Sequence, residues 1–371
     1  MRIGLDCRLP YYAQGGISQY IVHVIPALAE ADPENEYLVL TSRNDRRDYV
    51  PSAPNFAGRK VWTPCHHRLE RWALAAELAP LRLDVLHSPD FIPPAGGARR
   101  RVITVHDLNF LEQPAFLSPE SRRYYAGQIA WAVRQADAIA ADSQHAKADL
   151  IERLGAPAAK IKVVYLAANP IYAIPVEESA VRQTLAELGL TSGFILFVGT
   201  LSARKNVGLL LRAAERLTQA GTHVTVVLAG AKGWGGAALL QEIERRGLAG
   251  RVLHVEGLTD RQLAQLYRAA GVLALPSLYE GFGLPLLEAM HAGCPVVASD
   301  RGSLPEIVGE AGICLPPDDP DLWAETLDSV LSDAALRGQL VEAGRRRAAG
   351  FSWQKTAAGM LSLYRGCASS S

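Results

Sequence analysis

The chain has 371 residues, 49% hydrophobic and 20% charged, a globular composition that excludes extended disorder. Basic and acidic side chains balance at 38 each, so no global field draws the protein to nucleic acid or lipid. The length exceeds one ordinary core, and two domains are expected.

The first residues, Arg2–Arg8, have a strand pattern and lack the long apolar core of a signal peptide. No apolar stretch approaches the length of a bilayer span, so a soluble, cytoplasmic protein is expected. Cys7, Cys65, Cys294, Cys314 and Cys367 are scattered, with no C-x-x-C pair, and are expected as free thiols.

In chain order, strands are predicted at Arg2–Arg8, Tyr37–Ser42, Val85–Pro89, Val102–Asp107, Ala138–Ser143 and Lys162–Leu166. Helical periodicity covers Gly16–Ala31, Ser118–Gln135 and Gln144–Leu154. Apolar strands separated by helices imply a parallel sheet covered on both faces. The rhythm breaks over Ala167–Ser179, where Asn169-Pro170 and Pro175 read as a linker.

It then restarts, with strands at Phe194–Thr200, Val224–Gly230, Val252–Gly257, Val272–Ser277, Pro295–Asp300 and Ile313–Pro316. The expected fold is α/β, with two Rossmann-like domains, 1–172 and 173–351, whose parallel sheets face each other across a cleft. An amphipathic helix at Ser352–Arg365, within a C-terminal segment 352–371, is expected to return to the first domain. Ligands of such sheets sit beyond the carboxyl ends of the strands.

Several candidate residues fall there. His106-Asp107 closes a strand, where an imidazole can donate or accept according to protonation, although a lone histidine is more often structural. Gln14-Gly15-Gly16-Ile17 opens a helix after the first strand; it suits an anion or sugar contact, or an ordinary turn, and lacks the G-x-G-x-x-G spacing. Arg204-Lys205 follows the first strand of the second half, where two cations could neutralise a diphosphate or simply be solvated. Glu280-Gly281-Phe282-Gly283-Leu284-Pro285-Leu286-Leu287-Glu288 joins a buried strand to a helix starting at Pro285. Its glycine loop and helix start can face a phosphate, and the flanking carboxylates can accept from sugar hydroxyls.

Other features read blandly. His66-His67 precedes a helix over Arg68–Pro80 with Arg71 and Trp72, expected as a half-buried surface helix rather than an interfacial segment. The runs Arg99–Arg101 and Arg345–Arg347 read as solvated faces. No Walker A, His-Glu-x-x-His, Gly-x-Ser-x-Gly or aspartate-rich metal motif occurs, so an ATPase and a metal-dependent mechanism are not expected.

Taken in this order, the elements resemble the retaining glycosyltransferase family 4, nucleotide-sugar enzymes of the GT-B fold. The match is most specific at Phe197–Thr200, Ser277–Pro285, Glu288–Ser299 and Pro305–Val308. The branch it resembles is that of bacterial mannosyltransferase-like enzymes of surface polysaccharide synthesis. The resemblance assigns Glu280 to donor-sugar hydroxyls, Glu288 to the ribose, and Arg204 and Lys205 to the diphosphate. It gives the pocket lining to Gly281, Phe282, Gly283 and Leu284, the transferred sugar to His106, and the phosphates or acceptor to Gly15 and Gly16. His106 and Glu280 are thereby the catalytic candidates, and replacing either by alanine is expected to leave folding intact. No metal or cofactor is implied: the nucleotide-sugar, GDP- or UDP-linked, is a substrate. A lipid-linked acceptor would bring the first domain to the inner face of a membrane. One departure is Val164–Pro170, where many relatives carry an Asn-Gly pair. A nucleotide-sugar epimerase, a phosphorylase of the same fold and a non-catalytic nucleotide-sugar-binding subunit are the competing readings.

Overall fold

The computed structural model describes residues 1–12, 15–112, 119–233 and 236–369, leaving aside the side chains of 112 and 119–123. Gln14 of the first glycine loop and Ser118 of the predicted helix lie outside the described residues. The chain divides into two compact domains: Met1–Glu112, Pro119–Ala167 and Ser352–Ser371 in the first, Ala168–Phe351 in the second. Asn169, Pro170 and Tyr172, read from sequence as the end of the first half, therefore belong with the second.

Among the described residues, the first domain is built on seven strands: β1 (Arg2–Asp6), β2 (Glu36–Ser42), β3 (Phe56–Val61), β4 (Leu83–Ser88), β5 (Ala98–Val105), β6 (Ala138–Ala141) and β7 (Ile161–Val163). All pair in parallel, in the order β3-β2-β1-β4-β5-β6-β7. The strand β3 has no counterpart in the sequence reading. It is an edge strand, buried only at Phe56 and Val61, so the sequence between them carries no core signal.

The second domain holds β8 (Ile195–Val198), β9 (Val226–Ala229), β10 (Val252–Val255), β11 (Val272–Leu275), β12 (Val296–Ser299) and β13 (Ile313–Leu315). Their parallel order is β10-β9-β8-β11-β12-β13. Strands β8, β9, β11 and β12 are buried along their whole length, the expected pattern for a sheet covered on both faces. In each sheet the strand order reverses once, between β1 and β4 and between β8 and β11. At such switch points the following loops diverge and leave a crevice at the carboxyl edge.

The C-terminal helix Trp353–Ser369 belongs to the first domain. Its buried stripe, Thr356, Ala357, Met360, Leu361 and Tyr364, packs on the helix Gly16–Ala31 and on the sheet. Polar contacts fix its position. Thr356 Oγ1 donates to the Tyr165 carbonyl at 2.7 Å. Tyr364 Oη lies 2.9 Å from His87 Nδ1, and His87 Nε2 lies 2.8 Å from Thr104 Oγ1. Burial lowers the His87 pKa to about 3, so the ring is neutral, with Tyr364 donating to Nδ1 and Nε2–H to Thr104. All five cysteines are free thiols. Among the described residues, no helix is long and apolar enough to cross a membrane.

Candidate active site

The loops at the second domain's switch point assemble the principal site. After β8, Gly199 adopts φ +143 and the chain passes through a 3-10 turn, Ala203–Lys205, before the helix Val207–Gln219. Gly199 and Gly230, at the ends of neighbouring strands, meet so closely that a Cβ on Gly230 would fall 2.2 Å from the Gly199 carbonyl oxygen. Asn206, at φ +53, ends the turn in the left-handed region that asparagine tolerates better than most residues. Its side-chain amide donates to the Pro276 carbonyl at 3.2 Å and the Pro317 carbonyl at 2.8 Å. The loops after β8, β11 and β13 are thus clamped together.

That clamp delivers Arg204 and Lys205 to Glu280. Lys205 Nζ lies 2.5 Å from Glu280 Oε1, and Arg204 Nη1 donates to Glu280 Oε2 at 2.9 Å and to the Tyr279 carbonyl at 2.6 Å. The Glu280 side chain is buried, as is Lys205. Burial alone would raise the Glu280 pKa, but the Lys205 and Arg204 charges outweigh it and bring it down to about 2. Its backbone is fixed from the other side, because Ser303 Oγ and Ser303 N donate to the Glu280 carbonyl at 3.0 and 3.1 Å. Gly302, at φ +61, packs so tightly there that a Cβ would sit 2.6 Å from the Glu280 carbonyl oxygen.

Gly281, Phe282 and Gly283 follow as a buried loop, and Gly283 caps the helix Leu284–Ala292 with Pro285 in its first turn. Phe282 packs edge-to-face on Phe351, with ring centroids 6.1 Å apart. Glu288 lies on that helix, half-buried, and accepts from the Tyr267 hydroxyl at 2.8 Å. Burial raises its pKa to about 7, against the opposing effects of the Tyr267 hydrogen bond and the Lys205 charge. The two glutamates are therefore in opposite states: Glu280 is firmly ionised and Glu288 titrates near neutrality.

The remaining candidates lie in the first domain. His106 follows β5 and meets Asp142, which follows β6, at 2.6 Å through Nδ1. Its Nε2 lies 2.9 Å from the Pro89 carbonyl, beyond β4. The Pro89 carbonyl can only accept, so Nε2 carries a proton; a second proton on Nδ1, giving the charged ring, would face Asp142. Burial opposes that charge, but the Asp142 carboxylate outweighs it and raises the His106 pKa. Gly15 caps the helix Gly16–Ala31 in extended backbone, and both glycines are exposed. A Cβ at Gly15 would meet nothing within 4 Å, so the surrounding protein does not itself demand glycine there.

The structure thus brings Arg204, Lys205, Glu280, Gly281, Phe282, Gly283, Leu284 and Glu288 to one edge of the second sheet, and leaves His106, Gly15 and Gly16 in the first domain. Asp142, Asn206, Tyr267, Gly302 and Ser303 were not singled out from sequence. Asp142 had a usable signal, an acid directly after the apolar run Ala138–Ala141. Tyr267, inside an amphipathic helix, had none. Among the described residues, no group of three or more His, Cys, Asp or Glu side chains could hold a metal ion.

Comparisons with known proteins agree with this architecture. Residues 14–170 match the model of Glycosyltransferase Family 4, and residues 186–347 match that of Glycosyl transferases group 1. The chain is 29% identical to an O-antigen chain mannosyltransferase B of Escherichia coli, over 95% of this chain and 97% of that one. It is 30% identical to a D-inositol 3-phosphate glycosyltransferase of Salinispora arenicola, over 94% and 87% respectively. Among solved structures it resembles a sucrose-phosphate synthase from Thermosynechococcus elongatus, with TM-score 0.78 and 23% identity over 98% of both chains. It also resembles Anabaena HepE, solved with UDP and glucose, with TM-score 0.77 and 20% identity over 99% of this chain and 100% of that one. With these matches spanning both of its parallel-sheet domains, the chain belongs to the family 4 glycosyltransferases of GT-B type.

Proposed function

We propose that the protein is a retaining, metal-independent hexosyltransferase. It would move mannose from GDP-mannose to a hydroxyl of a glycan or lipid-linked acceptor in bacterial polysaccharide synthesis. The observation that carries this reading is the Arg204–Glu280–Lys205 cluster at the switch point of the second sheet. Two fixed cations beside a leaving diphosphate stabilise the charge that develops as its bond to the sugar breaks. Mannose and polysaccharide synthesis rest on the similarity to the O-antigen chain mannosyltransferase.

In this reading Arg204 and Lys205 hold the diphosphate, helped by the backbone of Gly281 to Leu284 at the helix start. Glu280 accepts from hydroxyls of the donor sugar, since an ionised carboxylate has about four acceptor sites and its two cations leave some free. Glu288 accepts from the ribose. His106 approaches the transferred sugar, and Gly15 and Gly16 approach the phosphates or the acceptor.

The acceptor hydroxyl attacks the anomeric carbon on the face that the diphosphate leaves. The carbon–oxygen bond to the phosphate breaks, and the departing phosphate oxygen takes the acceptor proton. Glu280, ionised throughout the neutral range, is not the proton donor. Proton NMR of slow GDP-mannose turnover, with water as surrogate acceptor, tests the reading. Release of α-mannose first supports retention, and β-mannose first contradicts it. Turnover of UDP-glucose with none of GDP-mannose would move the assignment to the other donor.

A further inference from the structure

The first sheet has a switch point of its own, where β1 and β4 are neighbours. Residues at the ends of those strands line a crevice there. Asp6 and Arg8 come from β1 and the turn after it, Ser88 and Asp90 from β4, and His66 and Glu70 close the side. The segment Ser88-Pro89-Asp90 also reaches His106, whose Nε2 lies 2.9 Å from the Pro89 carbonyl.

Three observations point to a ligand in this crevice. Ser88 is 2% exposed, and its hydroxyl has no hydrogen-bond partner among the described residues. A buried hydroxyl left unpaired is costly, and a ligand hydroxyl would complete it. Asp90 Oδ2 lies 2.5 Å from His66 Nε2, and the two side chains remain 16% and 32% exposed, so the pair is reachable from solvent. Of the four non-glycine residues at positive φ among the described residues, two sit at this pair, His66 at +60 and Phe91 at +23. Backbone held in that region costs energy and collects where a side chain must be aimed.

Charge decides what the crevice accepts. Three carboxyl groups, Asp6, Glu70 and Asp90, face Arg8 and His66. Arg8 is buried and spends its donors on Asp6, Glu70 and the Thr63 carbonyl. Even with the His66 ring protonated, both cations are already matched, and none is left over for a phosphate. Aromatic rings stand beside the pair: those of Tyr124 and Tyr125 lie 5.4 and 5.6 Å from the His66 ring, centre to centre. A few fixed polar groups against aromatic walls suit a ring that is apolar on its faces and hydroxylated at its edge.

We propose that this crevice selects an uncharged pyranose as the acceptor and excludes one that carries phosphate on that sugar. Asp90, held by His66, and Ser88 take its hydroxyls, and the tyrosines lie against its ring. The proposal rests on the transferase reading and adds to it the residues that choose the acceptor.

The test is a ligand-observed NMR titration of the full chain with methyl α-mannopyranoside and with its 6-phosphate. Wild type is expected to bind the neutral glycoside at least about tenfold more tightly. Asp90→Asn should weaken the neutral glycoside about tenfold, as one charged hydrogen bond is lost, and should bind the phosphate more tightly than wild type does. A merely structural loss would weaken both alike. Ser88→Ala should weaken the neutral glycoside severalfold while its melting temperature stays at or above that of wild type, since it removes an unpaired buried hydroxyl. Equal or tighter binding of the phosphate by wild type, no binding of the neutral glycoside, a parallel loss of both in Asp90→Asn, or unchanged affinity in Ser88→Ala would overturn the proposal. Titration of GDP into the same samples reads the second domain's cluster, so its failure counts against the transferase reading and not against the selectivity of the crevice.

Discussion

Lys205 and Glu280 meet at 2.5 Å although they stand 75 residues apart in the chain. The contact exists because β8 and β11 are neighbours at the switch point, so the loops that follow them open onto the same crevice. With Arg204 on the other carboxylate oxygen, Glu280 is the counter-charge on which both cations are organised.

This changes the expectation for Glu280 variants. From sequence, Glu280→Ala is expected to reduce transfer greatly and leave folding intact. Removing the carboxylate instead takes away the ion-pair partner that a buried ammonium and a half-buried guanidinium share. Breaking such a pair costs about 3 kcal/mol. Glu280→Gln should lower the melting temperature at pH 7 and reduce transfer by about a hundredfold. The pH dependence follows from the depressed folded-state pKa of about 2, against an ordinary value of 4.5. Stability from this group is fully present above 4.5 and is lost as pH falls from there toward 2. Melting curves of wild type and Glu280→Gln should therefore converge on acidification.

Glu288 carries the opposite sign. Its folded-state pKa is raised from 4.5 to about 7, so folding favours the protonated carboxyl. Its contribution is most favourable below pH 4.5 and is lost as pH rises through 7. Glu288→Gln keeps an acceptor for Tyr267 and cannot ionise. Its melting temperature relative to wild type should thus be higher at pH 8 than at pH 5, while nucleotide affinity falls. A difference independent of pH would remove Glu288 as the titrating group.

Much of the architecture was legible because it is local. Fully buried parallel strands such as Val272–Leu275 are uninterrupted apolar runs, and the helix Gly16–Ala31 has unbroken 3.6-residue periodicity. Strand ends were drawn too long where apolar or small residues run on into the following turn, as from Val198 into Gly199 and Thr200. The partners of the site residues were illegible for a different reason. Asp142 faces His106 across 36 residues because β5 and β6 are parallel neighbours, and only the strand order reveals that pairing.

Asp142→Asn isolates that pairing. Without the carboxylate, burial remains as the main influence on His106, and its titration should move from above the ordinary 6.5 to below it. The imidazole Cε1–H resonance followed against pH reads this directly. An unchanged midpoint would mean that Asp142 does not hold the imidazolium.

Tyr364→Phe tests the anchoring of the C-terminal helix. It removes the hydroxyl that donates to His87 and leaves a buried acceptor without its partner. The expected loss is about 1–2 kcal/mol in a denaturant titration of the first domain's unfolding. An equal midpoint in wild type and variant would show that the His87 contact does not secure the helix.

The central claim is that the Lys205–Glu280–Arg204 cluster receives the diphosphate of a nucleotide-sugar. Isothermal titration of GDP, UDP, ADP and dTDP into wild type and Lys205→Ala addresses it most directly. The account predicts that one of these nucleotides, GDP by the proposed donor, binds wild type and binds Lys205→Ala about tenfold or more weakly. Equal affinity in the two proteins, or no binding of any of the four, would contradict it.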